Sequence, residues 1–168
     1  MAKGRTRSSH PTATACAEYS FRQRFRVPPG PAFRWCVEYE PYDARHSGGH
    51  GSRKVTWVGP RTVLLDDVFP GPGGKRVRKV KVVQVYPEDR SWVSTHIVGP
   101  NRHSQFRYRI VPDGKHGSAL IFEGRDLRWQ GRPLTPAAER NLSERLRKED
   151  AELWVWLASL MERDLLER

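Results

Sequence analysis

The sequence predicts an α+β fold in which an antiparallel sheet of seven strands curves around one long C-terminal helix. Residues 53–129 form short apolar stretches separated by turns that contain glycine or proline, which is the pattern of consecutive hairpins. After Pro136 the chain contains no glycine or proline, and its leucines recur at helical spacing. An amphipathic helix that follows a run of strands needs an apolar surface, and a curved sheet supplies it.

The chain length suits one domain. A chain of 168 residues can bury a single core but is short for two. Residues 1–17 contain Lys3, Arg5 and Arg7 among small polar residues and show no apolar period, so we expect a flexible basic tail. Residues 18–168 are predicted to form the domain.

The positive charge raises the question of an acidic partner. The 30 Lys and Arg exceed the 19 Asp and Glu, which gives a net charge of +11. Such a balance is typical of proteins that bind nucleic acid or acidic membranes. Many of the arginines, however, alternate with apolar residues and are predicted to form the solvated face of a sheet. We therefore expect only weak, salt-dependent binding of nucleic acid and not a main role in it.

Several classes of site lack support. Cys16 and Cys36 alone make neither a disulfide framework nor a zinc site, and we expect no cofactor because the nucleotide-binding and serine-hydrolase motifs are absent. His46 and His50 have helical spacing, but the intervening Ser-Gly-Gly favours a surface loop over a metal site. The sequence contains no apolar run of about 18 residues, as a membrane span needs, and no signal-peptide core, so we expect a cytoplasmic protein.

The first predicted strand covers residues 18–27, where apolar and polar side chains alternate strictly. Its apolar side chains are Tyr19, Phe21, Phe25 and Val27, and three arginines lie on its other face. Three prolines within residues 28–31 end the strand. A short helix is predicted over residues 32–40, with Phe33, Cys36 and Val37 on one side, and a loop over residues 43–52.

Six further strands follow. They are predicted over residues 53–58, 62–69, 75–86, 91–98, 104–111 and 118–129. In the third of them the apolar phase changes between Val82 and Val83, which indicates a bulge or a segment covered on both faces.

The C-terminal helix has a clear start signal, with Thr135 as the capping residue and Pro136 at the first helical position. At about 100° per residue, its leucines fall in a stripe roughly 60° wide. The stripe consists of Leu142, Leu146, Leu153, Leu157 and Leu160. We expect the last three to pack in the core.

The element order and the junction FRVPPGPAFRW at residues 25–35 resemble the START-related, polyketide cyclase/dehydrase-like superfamily. The resemblance spans residues 18–166. It implies a helix-grip fold, with a seven-stranded sheet around the C-terminal helix and a cavity between them. Members of that superfamily include lipid and hormone carriers and aromatase/cyclases, and their catalytic residues differ from branch to branch. None of those residues matches a motif in this chain.

Polar residues on apolar faces are the candidate site residues. Glu149 lies about 20° from Leu142, at the edge of the stripe that Leu142, Leu146 and Leu153 form, where a carboxylate is costly unless it is paired or hydrated. It is expected either to line the cavity or, near the open mouth of the cavity, to reach water or an arginine. Asp67 shares its strand face with apolar residues, but so does Asp66, so either acid could be the buried one.

Other candidates follow from strand phase. Glu123 shares the phase of Ala119 and Ile121, and His96 shares that of Trp92 and Val98. If the sheet curls as predicted, several of these side chains converge on one cavity. The remaining candidate lining residues are Tyr108, Phe106, Leu142 and Leu146.

Three function classes remain open. The first is binding of a small hydrophobic or amphipathic molecule in the internal cavity that the resemblance implies. The second is a cyclase- or dehydrase-type enzyme that uses acid–base chemistry. The third is a basic protein that binds an acidic partner, such as nucleic acid, through its arginine-rich sheet face.

Overall fold

The structure is a computed structural model that describes residues 13–40, 51–129 and 131–167. Two helices and seven strands lie in these residues. The strands are β1 Ala15–Phe25, β2 Ser52–Gly59, β3 Thr62–Pro70, β4 Arg76–Tyr86, β5 Ser91–Val98, β6 Gln105–Asp113 and β7 Gly117–Arg128. The helices are α1 Pro29–Val37 and α2 Pro136–Leu166. The strands form one antiparallel sheet in the order β1-β7-β6-β5-β4-β3-β2. The predicted α+β helix-grip fold is therefore confirmed.

Strand β1 begins earlier than expected. Ala15 and Ala17 are buried and pair with Arg128 and Asp126 of β7, because alanine is small enough to lie beneath the start of α2. The strand thus starts three residues before its predicted first residue, Glu18. Residues 1–12 of the predicted tail lie outside the described residues. Helix α1 also starts and ends three residues before its predicted bounds, since proline is well tolerated in a first helical turn.

Helix α2 begins as predicted and lies mainly along β1. The Thr135 hydroxyl caps it by accepting a hydrogen bond from the Ala138 N–H at 3.2 Å. Two glutamates of α2 accept hydrogen bonds from backbone N–H groups of the β1 segment, Glu139 from Cys16 at 3.1 Å and Glu162 from Arg26 at 2.8 Å. These contacts satisfy donors that an edge strand otherwise leaves unpaired.

The buried face of α2 is rotated away from the predicted leucine stripe. The buried residues are Trp154, Ala158 and Met161, whereas Leu153 is 42% exposed. Leu157 packs partly buried against the core, and Leu160 is half-buried. A tryptophan ring removes more apolar area from water than a leucine does, so Trp154 takes the central position. The prediction that Leu153 is a core residue is wrong.

The phase change in β4 corresponds to a real irregularity. The pairing of β4 with β5 shifts register between Val80 and Lys81, two residues before the predicted position. Beyond the shift, the Lys81 side chain lies on the same side of the sheet as Leu65, its partner on β3. This placement brings a lysine to the inner face of the sheet.

Candidate functional site

The concave face of the sheet, which faces α2, has two chemically different regions. One is an aromatic cluster, which we define as Phe25, Trp92, Tyr108, Phe122 and Trp154. The other is a polar row that crosses the sheet from β2 to β7. We define the polar row as Arg53, Asp67, Lys81, His96, Asn101 and Asp126.

The aromatic cluster fills the space between the sheet and α2. The Trp92 and Tyr108 rings stack with centroids 4.8 Å apart and planes at 2°. Trp154 approaches both rings, at 6.5 and 5.9 Å, and Phe122 meets Tyr108 edge-on at 5.1 Å. Burial raises the pKa of Tyr108 well above its ordinary value, so its hydroxyl stays protonated at physiological pH.

The first half of the polar row is centred on Asp67, which is 0% exposed. Its carboxylate accepts hydrogen bonds from Arg53 at 2.6 and 3.1 Å and forms an ion pair with Lys81 at 2.7 Å. Burial acts to raise the pKa of Asp67, but the two cations outweigh burial and the pKa is lowered. Burial lowers the pKa of Lys81, and the Asp67 charge opposes that change. The three groups therefore depend on one another for their charges.

The second half of the polar row is a hydrogen-bonded chain. His96 Nδ1 lies 2.9 Å from Asn101 Oδ1, and Asn101 Nδ2 donates to Asp126 Oδ2 at 3.1 Å. All three residues are buried. Burial, together with the charges of Lys81 and Lys79, lowers the pKa of His96 to about 4. The imidazole is therefore neutral at pH 7.

A contact from α2 completes the polar part of the concave face. The Tyr19 hydroxyl of β1 donates a hydrogen bond to Asp150 Oδ2 at 2.6 Å. Burial, with a contribution from Asp126, raises the pKa of Asp150. Burial and the Asp150 carboxylate raise the pKa of Tyr19. Together with Asp126, this pair places two carboxylates and a phenol near one end of the aromatic cluster.

Glu149 reaches solvent and an arginine, which is the second of its two expected placements, and it does not line the concave face. Its side chain is 59% exposed and forms an ion pair with Arg145 one turn earlier, at 3.7 Å. The rotation of α2 that buries Trp154 turns Glu149 outward and brings its neighbour Asp150 inward. The predicted acid on the inner face of this helix exists, but it is Asp150.

The strand candidates separate into two groups. Asp67, His96, Phe106 and Tyr108 all belong to the concave face. Asp66 is on the outer face and binds Arg78 at 2.8 and 2.7 Å, which resolves the ambiguity between the two acids. Glu123 is exposed on the outer face, since the inner positions of β7 belong to Leu120 and Phe122; its predicted placement is wrong.

The α2 candidates Leu142 and Leu146 are half-buried. They lie on a flank of the helix and are not part of its buried centre, for the same reason as Leu153. The structure therefore does not assign them to the polar row or to the aromatic cluster.

Sequence reasoning missed four inner residues of the polar row: Arg53, Lys81, Asn101 and Asp126. The phase change in β4 was the available signal for Lys81. Arg53 and Asp126 share strand phase with apolar residues, which is the criterion that selected Asp67. Asn101 lies in a turn, where asparagine is common for local reasons, so no pattern distinguishes it.

The predicted internal cavity does not correspond to either of two grooves on the surface. A groove of about 550 Å³ lies between the start of β1 and the first turns of α2, with Cys16, Glu139 and Ser143 in its lining. Another, of about 650 Å³, lies on α2 itself, lined by residues such as Asn141 and Lys148. Between the sheet and α2, the described aromatic side chains occupy the centre.

The outer face of the sheet carries many of the arginines, and several are paired. Arg22 and Arg24 both bind Asp113, at 2.9 and 3.0 Å, and Arg125 lies 3.5 Å from Glu18. The positive charge on this face is thus interrupted by acids.

The described ranges contain neither a candidate metal site nor a candidate membrane-spanning helix. No group of three or more His, Cys, Asp or Glu side chains there could hold a metal ion. His46 and His50 lie outside those ranges. No helix in the same part of the chain is long and apolar enough to cross a membrane.

Comparison of the fold with solved structures gives clear matches. Zhui aromatase/cyclase from Streptomyces sp. R1128 aligns with a TM-score of 0.68 at 14% identity, covering 88% of this chain and 94% of that one. A START superfamily protein from Mycobacterium smegmatis aligns at 0.61 and 16% identity, covering 87% and 97%. Norcoclaurine synthase from Thalictrum flavum aligns at 0.62 and 15% identity, covering 92% and 88%.

The fold is therefore a helix-grip fold like those of the matched structures, as the sequence pattern predicted. No protein-family model matches the chain, and no curated protein is similar to it in sequence. At these identities the likeness extends to the fold alone.

Proposed function

We propose that the protein binds a small amphipathic molecule on the concave face of the sheet. The apolar body of the ligand packs among the rings of the aromatic cluster, and its polar end meets Lys81 and His96 of the polar row. The proposed function is the ligand binding that the sequence predicts. The polar contacts to the ligand, however, come from the polar row and not from Glu149.

The observation that carries the proposal is a row of paired charges on the inner face of a sheet. Asp67 is fully buried between Arg53 and Lys81. Apolar residues of similar volume in place of a buried ion pair are often neutral or stabilising, so such pairs are weak as a means of stability. Buried groups with shifted pKa values are typical of sites that bind or react.

Lys81 is the polar-row cation best placed to contact a ligand. Its side chain keeps 18% of its surface accessible and pairs with Asp67 at 2.7 Å. An ammonium has three N–H donors, so Lys81 can bind Asp67 and also donate to an acceptor on a ligand. A hydroxyl or carboxylate oxygen is such an acceptor.

The matched structures agree with this ligand class. The norcoclaurine synthase structure is a complex with dopamine and hydroxybenzaldehyde, which are aromatic molecules with hydroxyl groups. The aromatase/cyclase match is an enzyme by its name. These similarities support a ring-containing ligand for this chain without identifying it.

Ligand entry requires a rearrangement of the aromatic cluster. The rings of Trp92, Tyr108 and Trp154 occupy the centre of the space that a ligand would take. Since α2 lies mainly against β1, we expect α2 and Trp154 to move when a ligand binds.

Calorimetric titration with 2-naphthol and 2-naphthoic acid tests the proposal. We expect both probes to bind the wild-type protein and to bind Lys81→Met about tenfold more weakly, the value of one charge-assisted hydrogen bond. Lys54→Met, which removes the same charge from an exposed position on β2, is the matched control and should bind normally. Absence of binding to the wild type, or equal affinity in both variants, would refute the proposed site.

An acid–base enzyme is the second candidate, and the pKa values favour it. His96 is neutral at pH 7, because its pKa is lowered to about 4, and the pKa of Asp150 is raised. A neutral imidazole and a carboxyl group with a raised pKa are the kinds of group that proton transfer uses, and both side chains lie between the sheet and α2. Conversion of a bound probe, detected by mass spectrometry and lost in His96→Gln while binding persists, would establish the enzyme.

A further inference from the structure

The loop between β5 and β6 holds Asn101 in a fixed place beside His96. The backbone N–H of His96 donates a hydrogen bond to the backbone carbonyl of Ser104 at 2.9 Å. The backbone N–H of His103 donates to the backbone carbonyl of His96 at 2.7 Å. The Ser104 hydroxyl in turn accepts from the Leu127 N–H of β7 at 2.8 Å. Since both ends of the loop are tied to strands, the Asn101 side chain cannot easily turn away.

The chain of hydrogen bonds has only one consistent direction. A carboxylate accepts and cannot donate, so Asp126, which is ion-paired with Arg128, requires the NH₂ group of Asn101 to face it. The Asn101 oxygen then faces His96 Nδ1 at 2.9 Å. An amide oxygen also only accepts, so His96 Nδ1 must carry the proton.

The other ring nitrogen of His96 is then an acceptor. A neutral imidazole has one N–H and one lone pair, so a proton on Nδ1 leaves the lone pair on Nε2. None of the described residues forms a hydrogen bond with Nε2. The His96 imidazole packs beside the Phe106 ring, with the ring centroids 5.0 Å apart. In the register of the sheet, His96 of β5 lies opposite Lys81 of β4.

We infer that Asp126 and Asn101 are positioning residues that fix His96 as the Nδ1–H tautomer, so that Nε2 accepts a hydrogen bond from a hydroxyl group of the ligand. This inference rests on the proposed function for the presence of a ligand, but the tautomer is a property of the protein alone.

The inference narrows the ligand chemistry. Lys81 offers a donor and His96 Nε2 offers an acceptor from neighbouring strands. A hydroxyl group satisfies both, because its oxygen accepts and its hydrogen donates. A carboxylate or an ether oxygen satisfies only Lys81. The site is therefore built for a phenol, an enol or an alcohol.

The tautomer can be measured directly by long-range ¹H–¹⁵N NMR of the histidine rings at pH 7.5, with His96 assigned from the spectrum of His96→Gln. We expect a protonated Nδ1 and an unprotonated Nε2. In Asp126→Asn, which keeps the side-chain shape, the amide at position 126 can donate or accept, so His96 should become a mixture of tautomers. Asn101→Leu should give the same result, and the exposed α2 variant Asn141→Leu should not. A wild-type His96 protonated on Nε2 would overturn the inference.

The ligand contact is tested with 2-naphthol and its methyl ether, 2-methoxynaphthalene, by calorimetry. The wild type should bind the naphthol about tenfold more tightly, and Asp126→Asn should lose most of that preference. Equal affinities in the wild type would overturn the ligand contact even if the tautomer is as inferred. If neither probe binds and the tautomer is as inferred, the proposed function and the ligand contact are both refuted. The positioning of His96 by Asn101 and Asp126 is then confirmed on its own.

Discussion

The aromatic cluster and the polar row lie on the same face of the same sheet, yet they differ in what holds them in place. The rings of the aromatic cluster are stabilised by burial of apolar area and by offset or edge contacts. The polar row gains little from burial, and its groups are kept charged or oriented by their partners. The cluster thus explains the stability of the fold, whereas the row supplies the polar groups that the proposed ligand would contact.

This difference predicts opposite responses to substitution. Removal of apolar atoms from the aromatic cluster costs stability in proportion to the area and cavity that are lost. In the polar row, removal of one partner is costly, but replacement of all partners by apolar groups is not.

Removal of Trp154 should have the largest effect. Trp154→Ala should lower the free energy of unfolding by about 3–5 kcal/mol, because the ring contacts Trp92 and Tyr108 in the core. Urea denaturation measures the change. Trp156→Ala, from an exposed position two residues further on, is the control and should cost clearly less. Similar losses of unfolding free energy in the two variants would mean that α2 does not bury Trp154 against the sheet in preference to Trp156.

Asp67→Asn should destabilise almost as strongly. The change keeps the side-chain shape but leaves Arg53 and Lys81 without their shared carboxylate, and a broken buried ion pair costs about 3–5 kcal/mol. The adjacent Asp66→Asn removes the same charge from an exposed pair with Arg78 and should cost about 1 kcal/mol or less. Equal stability of the two variants would contradict the claim that the buried Asp67 ion pairs matter more to the fold than the exposed Asp66–Arg78 pair.

The pH dependence of stability should report on His96. Its pKa is lowered from 6.5 to about 4 in the folded protein, so the unfolded chain takes up a proton first as the pH falls. This contribution to stability is complete above pH 6.5 and is lost between pH 6.5 and about 4. The loss amounts to about 3 kcal/mol. His96→Gln should lack it, as urea denaturation at several pH values would reveal; identical pH profiles would contradict the burial of a neutral imidazole.

The leucines of α2 give the smallest expected effects. Leu157 packs against the core from a partly buried position, so Leu157→Ala should cost about 2 kcal/mol, the lower end of the usual range. Leu153→Ala should cost less than about 1 kcal/mol, because Leu153 is 42% exposed. Thermal denaturation of both variants distinguishes this orientation of α2 from the one that the leucine stripe predicts, in which both residues are equally important.

The sequence predicts the elements better than the site because the two depend on different information. Strand alternation and turn residues are local, and they place all six strands of the 53–129 stretch close to their observed bounds. The rotation of α2 about its own axis depends on contacts with distant strands, because those contacts decide which side chains fit the concave face. Trp154 is buried there, although the leucines of the helix are more numerous. That rotation decides between Glu149 and Asp150, so the predicted acid was one residue away from the observed one.

The polar row illustrates the same limit. His96 was predictable because it interrupts an apolar alternation within one strand, whereas the alternation left Asp66 and Asp67 as equal candidates. The partners of Asp67 and His96 come from other strands and from a turn, and only the register of the sheet brings Lys81 and Asn101 to them. From a single sequence, the register between strands can be predicted only from the turn residues and from the alternation of apolar side chains.

The most direct test of the proposed function is a variant that removes together the three charges of the first half of the polar row. Arg53→Leu, Asp67→Leu and Lys81→Met in one protein replace the buried ion pairs by apolar side chains of similar size. Urea denaturation and calorimetry with 2-naphthol would then be measured on the same preparation. The account predicts a free energy of unfolding that is unchanged or higher by about 1–4 kcal/mol, together with loss of naphthol binding. A protein that is markedly less stable and still binds naphthol normally would show that the polar row serves the fold and not a ligand.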